Sequence, residues 1–71
     1  MTDDFSIQLI YSYIYDNLDD NKLDDLKNSF DFDNNNLCKL LKQNNPESTD
    51  KEIMSQILFL YFYLITLNMI N

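Results

Sequence analysis

From Ile53 to Ile70 the chain runs for 18 residues without a charged side chain. Within that run Ile53, Ile57, Leu60, Leu64 and Leu67 step by 4, 3, 4 and 3 residues, a heptad seam, and Met54, Leu58, Tyr61 and Ile65 form a second stripe beside it. Phe59, Phe62 and Tyr63 cover most of what remains. A helix this apolar around its circumference has to lie inside a core, between subunits or in a membrane. Its start reads from Thr49, with Glu52 three residues on at the spacing of a capping box, while Pro46 and Glu47 offer an earlier opening.

The segments before it are helical in pattern and shorter. Thr2, Asp3 and Asp4 read as a helix start, with a capping side chain and negative charge beside the N-terminal dipole. Ile7, Ile10, Tyr11, Ile14 and Leu18 then recur on one helical face, widened by Phe5, Leu9 and Tyr13. Asp19, Asp20 and Asn21 make a polar corner, and Leu23, Leu26 and Phe30 mark a second helix. Residues 31–36, Asp and Asn around one Phe, have the composition of a turn or cap. Leu37, Leu40 and Leu41 carry a third helix that ends over Gln43–Asn45, because the residue before Pro46 is biased out of the helical region. The expectation is an all-α fold: a small helical bundle of three to four helices in a single domain over residues 1–71, with a long apolar C-terminal helix from about 49 to 70. Seventy-one residues make a thin core, and chains of this size commonly need a disulfide, a metal or another subunit. With one cysteine, Cys38, no disulfide forms within the chain; a reducing, cytoplasmic setting and a homo-oligomer, most simply a homodimer, are expected. Ile53, Ile57, Leu60, Leu64 and Leu67 are the expected self-association residues.

Charge divides the chain in two. Residues 1–33 hold nine Asp and two Lys, a net of −7, whereas residues 34–71 hold three acidic and three basic side chains and balance to zero. Gly, Ala, Val, Arg, His and Trp are all absent, the mark of a very AT-rich genome, yet AT-rich coding favours Lys and there are only five. The acidity therefore looks selected. It argues against direct binding to nucleic acid, whose duplex form carries one negative charge per about 1.7 Å, or to an anionic membrane, and favours a partner protein with a basic surface. Asp16, Asp19, Asp20, Asp24, Asp25, Asp31 and Asp33 are the candidate partner-binding surface.

Several chemistries drop out. Without His, Arg or Gly, and with one Cys, the chain lacks a usual general base, a phosphate clamp and a glycine-rich phosphate loop, so no enzyme and no cofactor is expected. Asp31, Asp33 and Asn35 stand at positions one, three and five of a calcium loop, but position six is Asn36 in place of Gly, and position twelve is Lys42 in place of a bidentate Glu. A membrane anchor is disfavoured because the run is at the short limit of about 17 to 25 residues, is interrupted by Ser55, Gln56, Thr66 and Asn68, and carries its aromatics centrally. Asp3 and Asp4 stand where a secretory leader carries basic residues. The six residues Leu9-Ile10-Tyr11-Ser12-Tyr13-Ile14 resemble the first helix of LisH dimerisation motifs, although the Gly and Ala that follow in that motif are missing.

Two functions follow as expectations. The leading one is a non-catalytic acidic binding protein, such as a viral or mobile-element inhibitor that occupies the basic, nucleic-acid-binding surface of a host defence protein. The other is a helical structural or adaptor protein that acts through self-assembly or docking of its C-terminal helix.

Overall fold

The computed structural model describes the backbone of residues 2–70 and the side chains of residues 6–69. Four helices follow in order: α1 (Thr2–Asn17), α2 (Asp20–Ser29), α3 (Asn36–Asn44) and α4 (Asp50–Ile70), with no strand among the described residues. The helix starts follow from side chains that satisfy the free N–H groups of a first turn. Asp19 caps α2 by accepting from the Lys22 N–H at 2.8 Å. Asn35 caps α3 by accepting from the Leu37 and Cys38 N–H groups, and its own amide donates to the Phe30 carbonyl, which joins the end of α2 to the start of α3. At α4 the capping box forms in both directions, Thr49 Oγ1 accepting from the Glu52 N–H and a Glu52 carboxylate oxygen accepting from the Thr49 N–H. The capping side chains expected at residues 2–4 lie outside the described side chains.

The end of α2 shows how a chain without glycine turns a helix off. The Asp31 N–H donates to the Asn28 carbonyl and the Phe32 N–H to the Lys27 carbonyl, the paired bonds of a Schellman cap, and Asp31 takes the left-handed position with φ at 50°. Asp and Asn tolerate that region better than other residues with a Cβ. Asn45 leaves the helical region before Pro46 and ends α3.

The core sits around the first half of α4. Ile53, Met54 and Ile57 are buried with Leu18 and Cys38, and Leu23, Leu26, Phe30, Phe32, Leu41 and Leu58 pack against them. Burial of each large side chain contributes about 1.5–3 kcal/mol. Ser55 is buried too, its hydroxyl donating to the Lys51 carbonyl one turn back at 2.8 Å. Helix α1 lies along another side of α4: Tyr11 Oη donates to the Glu52 carbonyl, Lys51 stands 4.3 Å over the Tyr15 ring, and Leu9 and Ile10 share a groove with Phe62 and Thr66. At about 32 Å, α4 matches nearly the whole 34 Å long axis of the molecule. Helices α2 and α3 cover only its first half. Beyond them α4 projects alongside α1, whose Leu9 and Ile10 meet Phe62 and Thr66.

Candidate interaction surfaces

The sequence expectation placed five residues on one self-association seam, and the structure divides them. Ile53 and Ile57 are 0% and 1% exposed and belong to the core of the single chain, so they are not a surface for a second one. Leu60, Leu64 and Leu67 are 41%, 53% and 39% exposed. The division has a physical cause. Phe30, at the end of α2, stacks on Tyr61 at 5.5 Å, and from Leu60 to Met69 every α4 residue is exposed.

The bare part is mostly apolar, with Thr66 and Asn68 as its polar exceptions. Tyr61, Phe62, Tyr63, Ile65 and Met69 are exposed along with the three leucines. Across the groove Ile7, Leu9, Ile10 and Tyr13 of α1 are exposed as well. Ile7 and Ile10 share the sequence-marked face with Leu18, and the structure buries Leu18 while leaving them 45% and 47% exposed. Together these side chains expose on the order of 1,000 Å², against roughly 300–600 Å² for the largest apolar patch of an ordinary monomer. By length and composition α4 is also long and apolar enough to cross a membrane, and 22% of its most apolar stretch is buried within the chain.

The second surface is acidic. Asp16, Asp19, Asp20, Asp24, Asp25, Asp31 and Asp33 are all exposed. Asp24, Asp31 and Asp33 line one depression with Lys27 and Phe32, whereas Asp25 lines a separate groove with Tyr13, Lys22 and Leu58. These four therefore fall in two separate depressions instead of tiling one face. Two of them also hold the backbone, Asp19 as the cap of α2 and Asp31 as its left-handed terminator.

Sequence reasoning missed the one place where opposite charges are joined. Asp50, in the first turn of α4, accepts from Lys27 of α2 at 2.9 Å and from Lys42 of α3 at 3.0 Å. Three helices meet at one carboxylate. The hydrogen bond from Lys27, then that from Lys42, holds the Asp50 carboxyl below its usual range, and the same bond raises Lys27. Helix spacing alone could not reveal this, because the three residues are distant in sequence. Lys51 is spent on the Tyr15 ring. Among the described residues ion pairs are confined to Asp50, so the seven aspartates of the acidic surface keep their charge for solvent or a partner. Burial raises both the Cys38 thiol and the Tyr11 phenol. No three His, Cys, Asp or Glu side chains among the described residues gather closely enough to hold a metal ion; Asn35, the third residue of the calcium-like spacing, is committed to the cap of α3.

Comparison with protein families, curated proteins and solved structures returns no match to this chain.

Proposed function

We propose that the chain is a non-catalytic helical interaction protein that docks through the apolar end formed by the outer turns of α4 and the adjoining half of α1. The observation that supports this reading is the exposure of every α4 residue from Leu60 to Met69, while the first half of the helix forms the core. Exposed apolar area on this scale is costly to keep in water and marks an interaction site. The acidic body then holds the molecule in solution and repels nucleic acid and anionic lipid.

The second reading, an acidic protein that occupies a basic surface as an inhibitor from a virus or mobile element would, is favoured by a different observation. Lys27, which shares a depression with Asp24, Asp31 and Asp33, is drawn to Asp50, and among the described residues none of the three aspartates makes an ion pair. Salt separates the two, because screening weakens exposed charge pairs and leaves apolar burial nearly untouched. Tagged wild type and a Leu64→Asp/Leu67→Asp variant, passed over extracts of the source cells at about 0.1 M and 1 M salt, make the test. The docking reading expects a partner retained at high salt and lost from the variant. A partner shed by salt and kept by the variant would refute it in favour of the acidic one.

A further inference from the structure

We infer that the occupant of the bare α4 seam is a second copy of this chain, paired antiparallel about Leu64. The inference rests on the docking reading and gives it a partner. At 100° per residue, Leu60, Leu64 and Leu67 fall on the helical face that Ile53 and Ile57 occupy about one to four turns earlier. The chain thus covers this face itself as far as the Phe30–Tyr61 stack and leaves its continuation bare. Phe62 and Thr66, which meet α1, lie roughly 160° around the helix, so α1 cannot close over the seam. The spacing of 4 and 3 is the one at which a helix packs its side chains into those of a like helix. Leu60, Leu64 and Leu67, with Tyr61 and Tyr63 beside them, are 39–53% exposed and free to enter such a contact.

Charge permits a like helix and sets its direction. The seam and its flanks carry no charged side chain, so two copies of a chain with net charge −7 can meet there without opposing carboxylates across the contact. Four exposed aspartates lie beside the first half of α4: Lys27, in the depression of Asp24, Asp31 and Asp33, bonds Asp50, and Asp25 borders the groove over Leu58. A parallel pair would set two such bodies side by side. An antiparallel pair overlapping at the outer turns places them at opposite ends.

A membrane is the poorer occupant. The bare turns from Leu60 to Met69 measure about 15 Å, half of a hydrocarbon core of about 30 Å, and a full span would pull Ile53, Met54 and Ile57 out of the chain's own core.

Sedimentation equilibrium of the purified chain at micromolar concentration is expected to give twice the 8.5 kDa chain mass. Leu64→Asp/Leu67→Asp is expected to give a folded monomer with wild-type helicity, since both positions are exposed within the single chain. Direction is read from single cysteines in a Cys38→Ala background. Leu64→Cys lies near the two-fold axis and cross-links to its own copy, whereas Leu60→Cys is displaced from its copy by about 12 Å, beyond the roughly 7 Å a disulfide spans, and is expected to cross-link about tenfold more slowly. A monomeric wild type, a Leu64→Asp/Leu67→Asp variant that stays dimeric, or equal cross-linking at both positions overturns the inference. A monomeric wild type that sediments with phosphatidylcholine vesicles, and loses them in the variant, overturns self-pairing yet leaves docking through α4 standing. If the wild type is monomeric and the variant keeps every association, both readings fail.

Discussion

Ile57 and Leu64 lie one heptad apart on the same face of α4, and the structure gives them opposite roles. Ile57 is 1% exposed in the core cluster, and Leu64 is 53% exposed beyond it. Truncation of a buried Ile to Ala removes its transfer free energy and leaves a cavity, a loss of about 2–5 kcal/mol. A chain of this length has roughly 4–11 kcal/mol of stability in all, at about 0.05–0.15 kcal/mol per residue. Ile57→Ala therefore uses up a large part of it, and at about 4–8 °C per kcal/mol its midpoint is expected to fall by about 8 °C or more. Leu64→Ala at dilutions where the chain is monomeric is expected to stay within about 0.5 kcal/mol of wild type, as surface substitutions do. Far-UV circular dichroism during urea titration, repeated over a range of protein concentrations, reads both. Leu64→Ala should show its loss only as concentration rises into the range where copies pair. Equal and concentration-independent losses from the two variants would refute the division of α4 into a core half and a bare half.

The caps give sharper comparisons. Thr49→Ala removes one arm of the capping box at α4 and is expected to cost about 0.5–2 kcal/mol in thermal or urea unfolding. Asp19→Ala is expected to cost about the same through α2, while Asp20→Ala, an exposed neighbour of equal charge that caps nothing, is expected to cost a few tenths; equal effects would mean that charge, not the cap, matters. Asp50 titrates below its unfolded value near 3.8, so its contribution is complete above that pH and is lost as pH falls through the lower folded value. With both pairs about one-third exposed or more, that contribution is about 0.2–1 kcal/mol per pair, and Asp50→Asn should remove it at neutral pH and flatten the acid side of the stability curve.

How much of this was legible in the sequence varied with the range of the interaction that decides it. The all-helical class, the Thr49–Glu52 box and the end of α3 before Pro46 are settled within a few residues, and the pattern contains them. Asp31 is local too, but its role was hidden by habit of composition: with no glycine to mark a left-handed position, residues 31–36 read as an undivided turn, when Asp31 ends α2 and Asn35 begins α3. The division of the α4 seam was not legible. Periodicity says that Ile53 and Leu64 share a face, and it says nothing of how far α2 and α3 reach along that face. The Lys27–Asp50–Lys42 node escaped for the same reason, since a charge count in which residues 34–71 balance to zero conceals that Asp50 takes a lysine from the acidic half.

That exchange bears on how a molecule with so much bare apolar surface stays discrete. Short-range apolar attraction at α4 favours association of any order, whereas the charge of −7 repels copies at longer range, so their balance depends on the screening length. At about 0.01 M salt that length is roughly 30 Å, close to the 34 Å long axis of the chain, and each acidic body repels another from across its whole width. At about 1 M it shrinks to roughly 3 Å, and the repulsion no longer reaches past the aspartates themselves. The α4 pairing should hardly respond, because its contact carries no charge, but the remaining apolar side chains of α1, among them Leu9 and Tyr13, become free to add further copies. The expected outcome is a dimer at low and moderate salt that grows into larger assemblies near 1 M, with Asp24→Asn/Asp31→Asn/Asp33→Asn shifting that growth to lower salt. Asn keeps the left-handed Asp31 position and the size of each side chain, so the variant changes charge with little change in fold. Light scattering across a salt series measures the growth. Assemblies that shrink as salt rises would show that ion pairs, and not the apolar turns of α4, hold the copies together.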